Sequence, residues 1–185
     1  TAICADSKLV PCWLVGRRNT ATAKEFMLNL ASRLSHRVQI TTDGHKPYLE
    51  AVRGAFGLDV DYAMLVKLYG PEPEGQKRYS PASFVSATGR SINGSPDKQH
   101  ISTSFAERQN LTMRMSMRRF TRLTNAFSKK VENLQHAVSL HFMYYNFCRV
   151  HKTLGVTPAM AAGVANHAWT LEEIACLADK FPTSN

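Results

Sequence analysis

The chain lacks any run of residues able to cross a bilayer as a helix. Its longest apolar stretch, LVPCWLVG at residues 9–16, has eight residues, against about 20 for a membrane span. No charged segment followed by an apolar core and a small-residue cleavage site opens the sequence, so no export signal is visible. The first residue is Thr1 rather than Met and leads straight into apolar sequence. The expectation is a fragment that has lost N-terminal residues. Cysteine is sparse: Cys4, Cys12, Cys148 and Cys176, with no C-x-x-C pair of the zinc or redox kind. Without an export signal they read as reduced thiols of a cytosolic protein. Internal repeats are also missing. With 44% apolar and 20% charged residues, the composition is that of a globular chain, which excludes a mainly disordered protein and a coiled-coil rod.

Acidic residues are absent over one long stretch. From Arg108 to Lys130 there is no Asp or Glu, and residues 101–130 hold seven basic side chains against one acidic, Glu107. The whole chain carries 23 basic and 14 acidic residues, a net charge of +9, so most of the excess lies in that stretch. Concentrated positive charge suits a polyanion, most often nucleic acid. A solvated helix face is the plainer explanation of the same pattern.

The 185 residues suit one domain with an appendage, at roughly 150 residues per domain. Residues 2–5 and 9–15 read as strands around a turn at Asp6-Ser7-Lys8. Thr20 or Thr22 can cap a helix whose apolar stripe is Ala23, Phe26, Met27, Leu30 and Leu34. Residues 36–42 alternate as a strand and run into Asp43-Gly44. Pro47 suits the first turn of a helix that Gly57 ends. Residues 59–68 read as another strand. Residues 70–100 lose the apolar pattern and read as a loop or insertion. From Phe105 a helix is expected to continue to about Phe147. Its strongest support is the stripe Phe120, Leu123, Phe127, Val131, Leu134 and Val138, although Met113, Met115 and Met117 alternate with period two. Residues 158–177 carry two short helices, the second capped by Thr170. A mixed α/β sheet with packed helices follows.

Asp43 ends a strand, where α/β proteins place their sites; a turn or helix-cap role is the plainer explanation of the same residue. Glu107 fits a capping box with Ser104, a role compatible with catalysis. Two carboxylates in a basic protein suggest Mg²⁺, a hard ion that takes oxygen ligands and shares phosphate oxygens with its substrate.

TTDGHKPYLEA around Asp43 and FAERQNLTMRMSMRRFTRLTNAFSKKVEN around Glu107 resemble the second and third acidic motifs of bacterial insertion-sequence transposases of the IS-one type. The E-R-x-N-L-x-x-R string, here Glu107, Arg108, Asn110, Leu111 and Arg114, is the most specific part, supported by Phe127, Ser128 and Lys129. YNFCRVHKTLGVTPAMAAG at residues 145–163 is similar to a tail found among integrase-like transposases. The resemblance covers residues 2–163. It implies an RNase H-like mixed sheet flanked by helices, with the 70–100 insertion before the helix that carries the last acidic residue, and a helical tail at 164–185. It also implies an Asp-Asp-Glu triad with two Mg²⁺ or Mn²⁺ ions, and double-stranded DNA as substrate, both element ends and target. The setting would be the bacterial cytoplasm at the nucleoid, with no membrane, in a homodimer or larger assembly.

The resemblance breaks at its first acidic position, which Cys4 occupies. A thiol is soft and mostly protonated near neutral pH, a poor Mg²⁺ ligand. Asp6 lies two residues on, on the same side of a strand, and is the candidate replacement. The expected catalytic and metal-binding residues are therefore Asp43, Glu107 and Asp6. Expected DNA contacts are Arg108, Arg114, Arg118, Arg119, Arg122, Lys129 and Lys130; on one continuous helix, Arg114, Arg118 and Arg122 would line a single face. Arg149 and His151 suit either a phosphate contact or the turn before Thr157-Pro158. The alternative function is a crippled or repurposed transposase that only binds DNA. An RNase H-type hydrolase shares the fold, but the E-R-x-N-L string argues against it.

Overall fold

Ala23, Phe26, Met27 and Leu30, spaced by three, one and three, form the buried face of a helix in the computed structural model, which describes residues 1–70, 83–121 and 124–180. The described residues hold a three-stranded mixed sheet and six α-helices, a mixed α/β arrangement. The chain divides into two compact units, one of Gly16–Ser104 and one of Thr1–Val15 with Phe105–Asn185.

The Gly16–Ser104 unit runs α1 (Thr20–Ala31), β1 (Gln39–Asp43), α2 (Pro47–Phe56), β2 (Asp61–Tyr69) and β3 (Phe84–Asn93). Asn19, not Thr20 or Thr22, caps α1: its side-chain oxygen accepts from Thr22 N–H at 3.0 Å. Pro47 opens α2, and Gly57 at φ +59 ends it. β1 and β2 are parallel, in register from Gln39–Asp61 to Asp43–Leu65. The helices α1 and α2 pack on one another, and Val52, Val60, Tyr62, Ala63 and Met64 are buried in this unit's core. β3 pairs antiparallel with β2, so residues 84–93 are a strand inside the expected insertion. The pattern missed it because most of β3 is exposed, on both faces, and no in–out alternation marks it. Residues 71–82 of that insertion lie outside the described residues.

An ion-pair network closes the start of β2. Asp61 accepts from Arg37 Nε at 3.0 Å, from Arg37 Nη2 at 2.8 Å and from Ser95 N–H at 2.8 Å. Gly94, at φ +65, makes room for it: a Cβ there would run into Asp61 Oδ1 and come within 2.8 Å of Arg37 Nη2 and 2.9 Å of Val60 O. The Arg37 guanidinium, with the Ser95 N–H, lowers the Asp61 carboxyl to about 2. Its unfolded value is about 3.9. A depressed carboxyl stabilises the fold above the unfolded value, and that contribution is lost as pH falls through the folded one. The urea midpoint should therefore drop between about pH 4 and pH 2. Asp61→Asn should flatten part of that drop; a variant with the same pH profile as the natural chain would show that the network does not govern it.

In the other unit, α3 spans Ser104–Ser116, α4 Val131–Met143, α5 Pro158–Ala161 and α6 Leu171–Lys180. Val10, Met113, Val138, Phe142 and Tyr145 form its core, with Ile3, Trp13, Val15, Met117, Phe120 and Leu134 packed against them. The single long helix expected from Phe105 to Phe147 is not formed. The backbone leaves the helix at Met117, makes a 3₁₀ turn over Arg118–Phe120, and is extended again at Thr121 and at Lys130. Phe120, Leu134 and Val138 still reach the core, but from two elements, and Phe127 and Val131 are 64% and 58% exposed. The conflicting methionine period marked the break: Met113 is buried, while Met115, 79% exposed, is not.

The two strands expected at residues 2–5 and 9–15 reduce to one antiparallel bridge, Ala2–Cys12. Two backbone bonds, Ala2 N–H to Cys12 O and Cys4 N–H to Leu9 O, still join the segments, but other backbone groups are taken by side chains. Asn146 accepts from Val10 N–H at 3.0 Å and donates to Val10 O at 2.9 Å, and the Tyr145 hydroxyl donates to Lys8 O at 3.2 Å. Pro11 has no N–H to give. Both clamping residues come from a π turn, Tyr144–Cys148, closed by Arg149 N–H on Tyr144 O. That turn shifts the helical phase so that the adjacent Tyr145 and Asn146 are both buried. Thr157 caps α5, and Thr170 and Glu173 cap α6 reciprocally. No helix among the described residues is long and apolar enough to cross a membrane.

Candidate functional site

Asp43 is the last residue of β1, so the parallel strand delivers its carboxylate to the sheet's C-terminal edge. Oδ1 accepts from His45 N–H at 3.2 Å, an Asx turn that steers the chain towards α2. Oδ2 lies 3.9 Å from Arg18 Nη2, with the two side chains 60% and 76% exposed. The Thr42 and Tyr62 hydroxyls meet at 2.8 Å beneath, and the His45 ring stands edge-on to Tyr48. Burial, and then the charge of Asp43, push the Tyr48 hydroxyl above its ordinary pKa, while Arg18 acts in the opposite direction. The turn role and an accessible hard-oxygen donor thus coexist in Asp43.

Glu107 is exposed in the first turn of α3. Because α3 begins at Ser104, the cap position falls on Thr103, one residue before the serine of the expected capping box. Glu107, Arg108, Asn110, Leu111 and Arg114 are all exposed, whereas Gln109 and Met113 between them are buried. The helix packs through residues outside the recognised string and displays those within it.

Asp6 lies in a tight turn rather than in a strand. Lys8 N–H donates to Cys4 O at 3.1 Å, Cys4 N–H donates to Leu9 O at 2.8 Å, and Lys8 takes φ +59. The same-side argument that related Asp6 to Cys4 therefore does not hold: Asp6 is exposed on the turn and Cys4 is half-buried. The Lys8 ammonium bonds Ala5 O and lies 4.0 Å over the Phe105 ring. This brings the Cys4–Lys8 turn beside the start of the helix that carries Glu107. Asp43 belongs to the other unit. Among the described residues, no group of three or more His, Cys, Asp or Glu side chains is gathered as a metal set.

The basic residues do not share one helical face. Arg108 and Arg114 are on α3, Arg118 and Arg119 on the 3₁₀ turn, and Lys129 and Lys130 precede α4. Arg119 donates to Ser128 Oγ. Arg122 lies outside the described residues. His151 orders a turn: its N–H donates to Val156 O, and its carbonyl accepts from Leu154 and Gly155, the latter at φ +70. Burial, then Lys8 and Arg149, lower the His151 pKa, so this turn faces positive charge. Trp13 stacks on Phe142 and Trp169 packs on Phe147, both as packing residues. Sequence reasoning missed Arg18, Lys8 and Asn146. Only the basic cluster Arg17-Arg18-Asn19 offers a local signal for Arg18. Compared with known proteins, the chain matches no family model, no curated protein and no solved structure.

Proposed function

We propose that the chain is the catalytic region of an insertion-sequence transposase with an RNase H-like fold, a DNA nuclease and strand transferase. The observation that carries this reading is the display of the E-R-x-N-L-x-x-R string. A helix stripe kept for packing would bury its leucine. Leu111 is instead 43% exposed beside Arg108 and Arg114, and Gln109 is buried in its place. That leaves this face open to solvent, and its positive charge suits DNA phosphates. Asp43, exposed at a parallel strand end, is the matching acidic position.

The donor chemistry fits a divalent metal at two of three positions. The Asp43 and Glu107 carboxylates are hard ligands of the kind that takes Mg²⁺ or Mn²⁺; at the first position the Cys4 thiol does not fit, and Asp6, exposed on its turn, is the remaining carboxylate candidate. Bound there, the ions would supply activated water and stabilise the leaving oxygen of a phosphodiester. The chain's own cations, Arg108, Arg114, Arg118, Arg119, Lys129 and Lys130, hold the backbones of element ends and target DNA. The 3′-hydroxyl freed by cutting then attacks a phosphodiester of the target strand, forming a new ester bond as the target's own 3′-oxygen leaves and takes up a proton. Joining two ends calls for a homodimer or larger assembly, at the nucleoid.

Cys4 favours a second reading, a DNA-binding protein that no longer cuts. Nicking of supercoiled plasmid with Mg²⁺ or Mn²⁺ separates the two. The natural chain should nick weakly or not at all. Cys4→Asp should raise nicking at least about tenfold, a change of about 1.4 kcal/mol in the barrier, because an ionised carboxylate binds Mg²⁺ and a thiol does not. Asp6→Ala should abolish whatever the natural chain does; nicking that survives it removes Asp6 from the site. A Cys4→Asp protein that binds DNA and stays inert supports the second reading.

A further inference from the structure

Arg18 has no part in the reading above, yet the fold takes care to place it. A Cβ at Gly16 would sit 2.6 Å from Thr22 Cγ2, so a side chain there would have to displace Thr22 at the start of α1. Asn19 then fastens the start of the helix through Thr22 N–H. Because that N–H is already satisfied, the helix end supplies a position for the neighbouring arginine rather than a donor for a ligand. Between these two anchors lie Arg17 and Arg18, both exposed. Arg18 Nη2 is 3.9 Å from Asp43 Oδ2, and both groups face solvent. A pair this long and this exposed is worth little in stability. What it does is hold a guanidinium fork, with donors to spare, against the strand-end carboxylate.

We propose that Arg18 is a phosphate ligand of the Asp43 site: it neutralises Asp43 in the free protein and turns onto a DNA backbone phosphate when DNA is bound. The geometry asks for this exchange. Arg18 cannot be consumed by a weak, solvated pair, and guanidinium binds phosphate oxygens in a two-pronged, charge-assisted fashion that the 3.9 Å contact to Asp43 does not provide. The move also releases the carboxylate oxygen that faces Arg18. His45 N–H keeps the other oxygen in place, so Asp43 stays oriented while its partner leaves. The identity of the phosphate rests on the DNA reading above; the exchange itself rests on the Gly16 and Asn19 anchors and on the Arg18–Asp43 pair.

The test uses the full chain and a fluorescein-labelled duplex of arbitrary sequence, without metal, titrated across salt. Arg18→Ala should weaken binding about threefold to tenfold and reduce the salt slope by about 1, while Arg18→Lys should keep the slope. Asp43→Asn should tighten binding, partly by freeing Arg18. That gain should shrink when Arg18 is already alanine, because the two effects run through one pair. Unchanged thermal midpoints show that the fold is intact. Equal affinity and salt slope in Arg18→Ala, or an undiminished gain from Asp43→Asn in its presence, overturns the proposal. Arg18-dependent binding by a protein that never nicks, even with Cys4→Asp, sinks the cutting reading and leaves this one standing. A natural chain that binds no duplex at low salt overturns both.

Discussion

Replacing Asp43 or Glu107 with alanine is expected to abolish plasmid nicking, by about a thousandfold or more, measured in the Cys4→Asp background if the natural chain is silent. The magnitude follows from the chemistry. Loss of one hard oxygen ligand removes several kcal/mol of charge stabilisation in phosphodiester cleavage, at about 1.4 kcal/mol per tenfold in rate. Duplex binding should survive or tighten slightly, since each change deletes a negative charge from a basic surface. Asp43→Asn separates chemistry from structure. It keeps an acceptor for His45 N–H, now at 3.2 Å from Asp43 Oδ1, yet removes the anionic charge. Asp43→Asn should therefore fold normally and fail to nick. Nicking at the parental rate by Asp43→Ala and Glu107→Ala would end the transposase reading.

Asn146→Ala is expected to loosen residues 1–15 from the unit that holds them. The buried amide satisfies both backbone groups of Val10, 136 positions away in sequence. Removing it orphans a buried N–H and a buried C=O at about 1–3 kcal/mol each, less whatever an entering water restores, or about 2–4 kcal/mol in all. Urea denaturation should show a lower midpoint, and the Val10 amide should exchange faster than in the natural chain. Tyr145→Phe, which loses only the 3.2 Å bond to Lys8 O, should cost less, about 1 kcal/mol. Val10 exchange that is unaffected by Asn146→Ala would mean that packing of Ile3, Trp13 and Val15 holds the segment unaided. The functional consequence runs through the Cys4–Lys8 turn, whose last residue is itself clamped by Tyr145: nicking in the Cys4→Asp background should fall with the clamp.

Local signals of strong period survived into the structure. Ala23, Phe26, Met27 and Leu30 of the α1 stripe pack as their spacing implied, while Leu34 falls beyond the helix end at Ala31; Pro47 and Gly57 bound α2, and Thr170 caps α6, because each depends on residues within a turn or two of one another. Asp43 at a strand end and Glu107 at a helix start were legible for the same reason. The expected helix across residues 105–147 failed where spacing was mistaken for continuity. Phe120, Leu134 and Val138 face one core from two elements, and a one-dimensional period cannot tell a helix from two segments that share a hydrophobic target. β3 was illegible for the opposite reason, since strands exposed on both faces carry no alternation.

The sequence by itself determined the charge distribution, the order of Cys4, Asp43 and Glu107 along the chain and the mixed α/β composition, all properties of residue identity and short-range spacing. Tertiary structure alone decided where the first fifteen residues belong. Their apolar, β-favouring composition called for strands, but Asn146 and Tyr145 took the backbone groups that a sheet would have used. It likewise decided that Asp6 stands on a turn, and that Arg18 meets Asp43. Each of those outcomes depends on which distant group satisfies a hydrogen bond or a charge first, and that competition is settled only when the chain is folded.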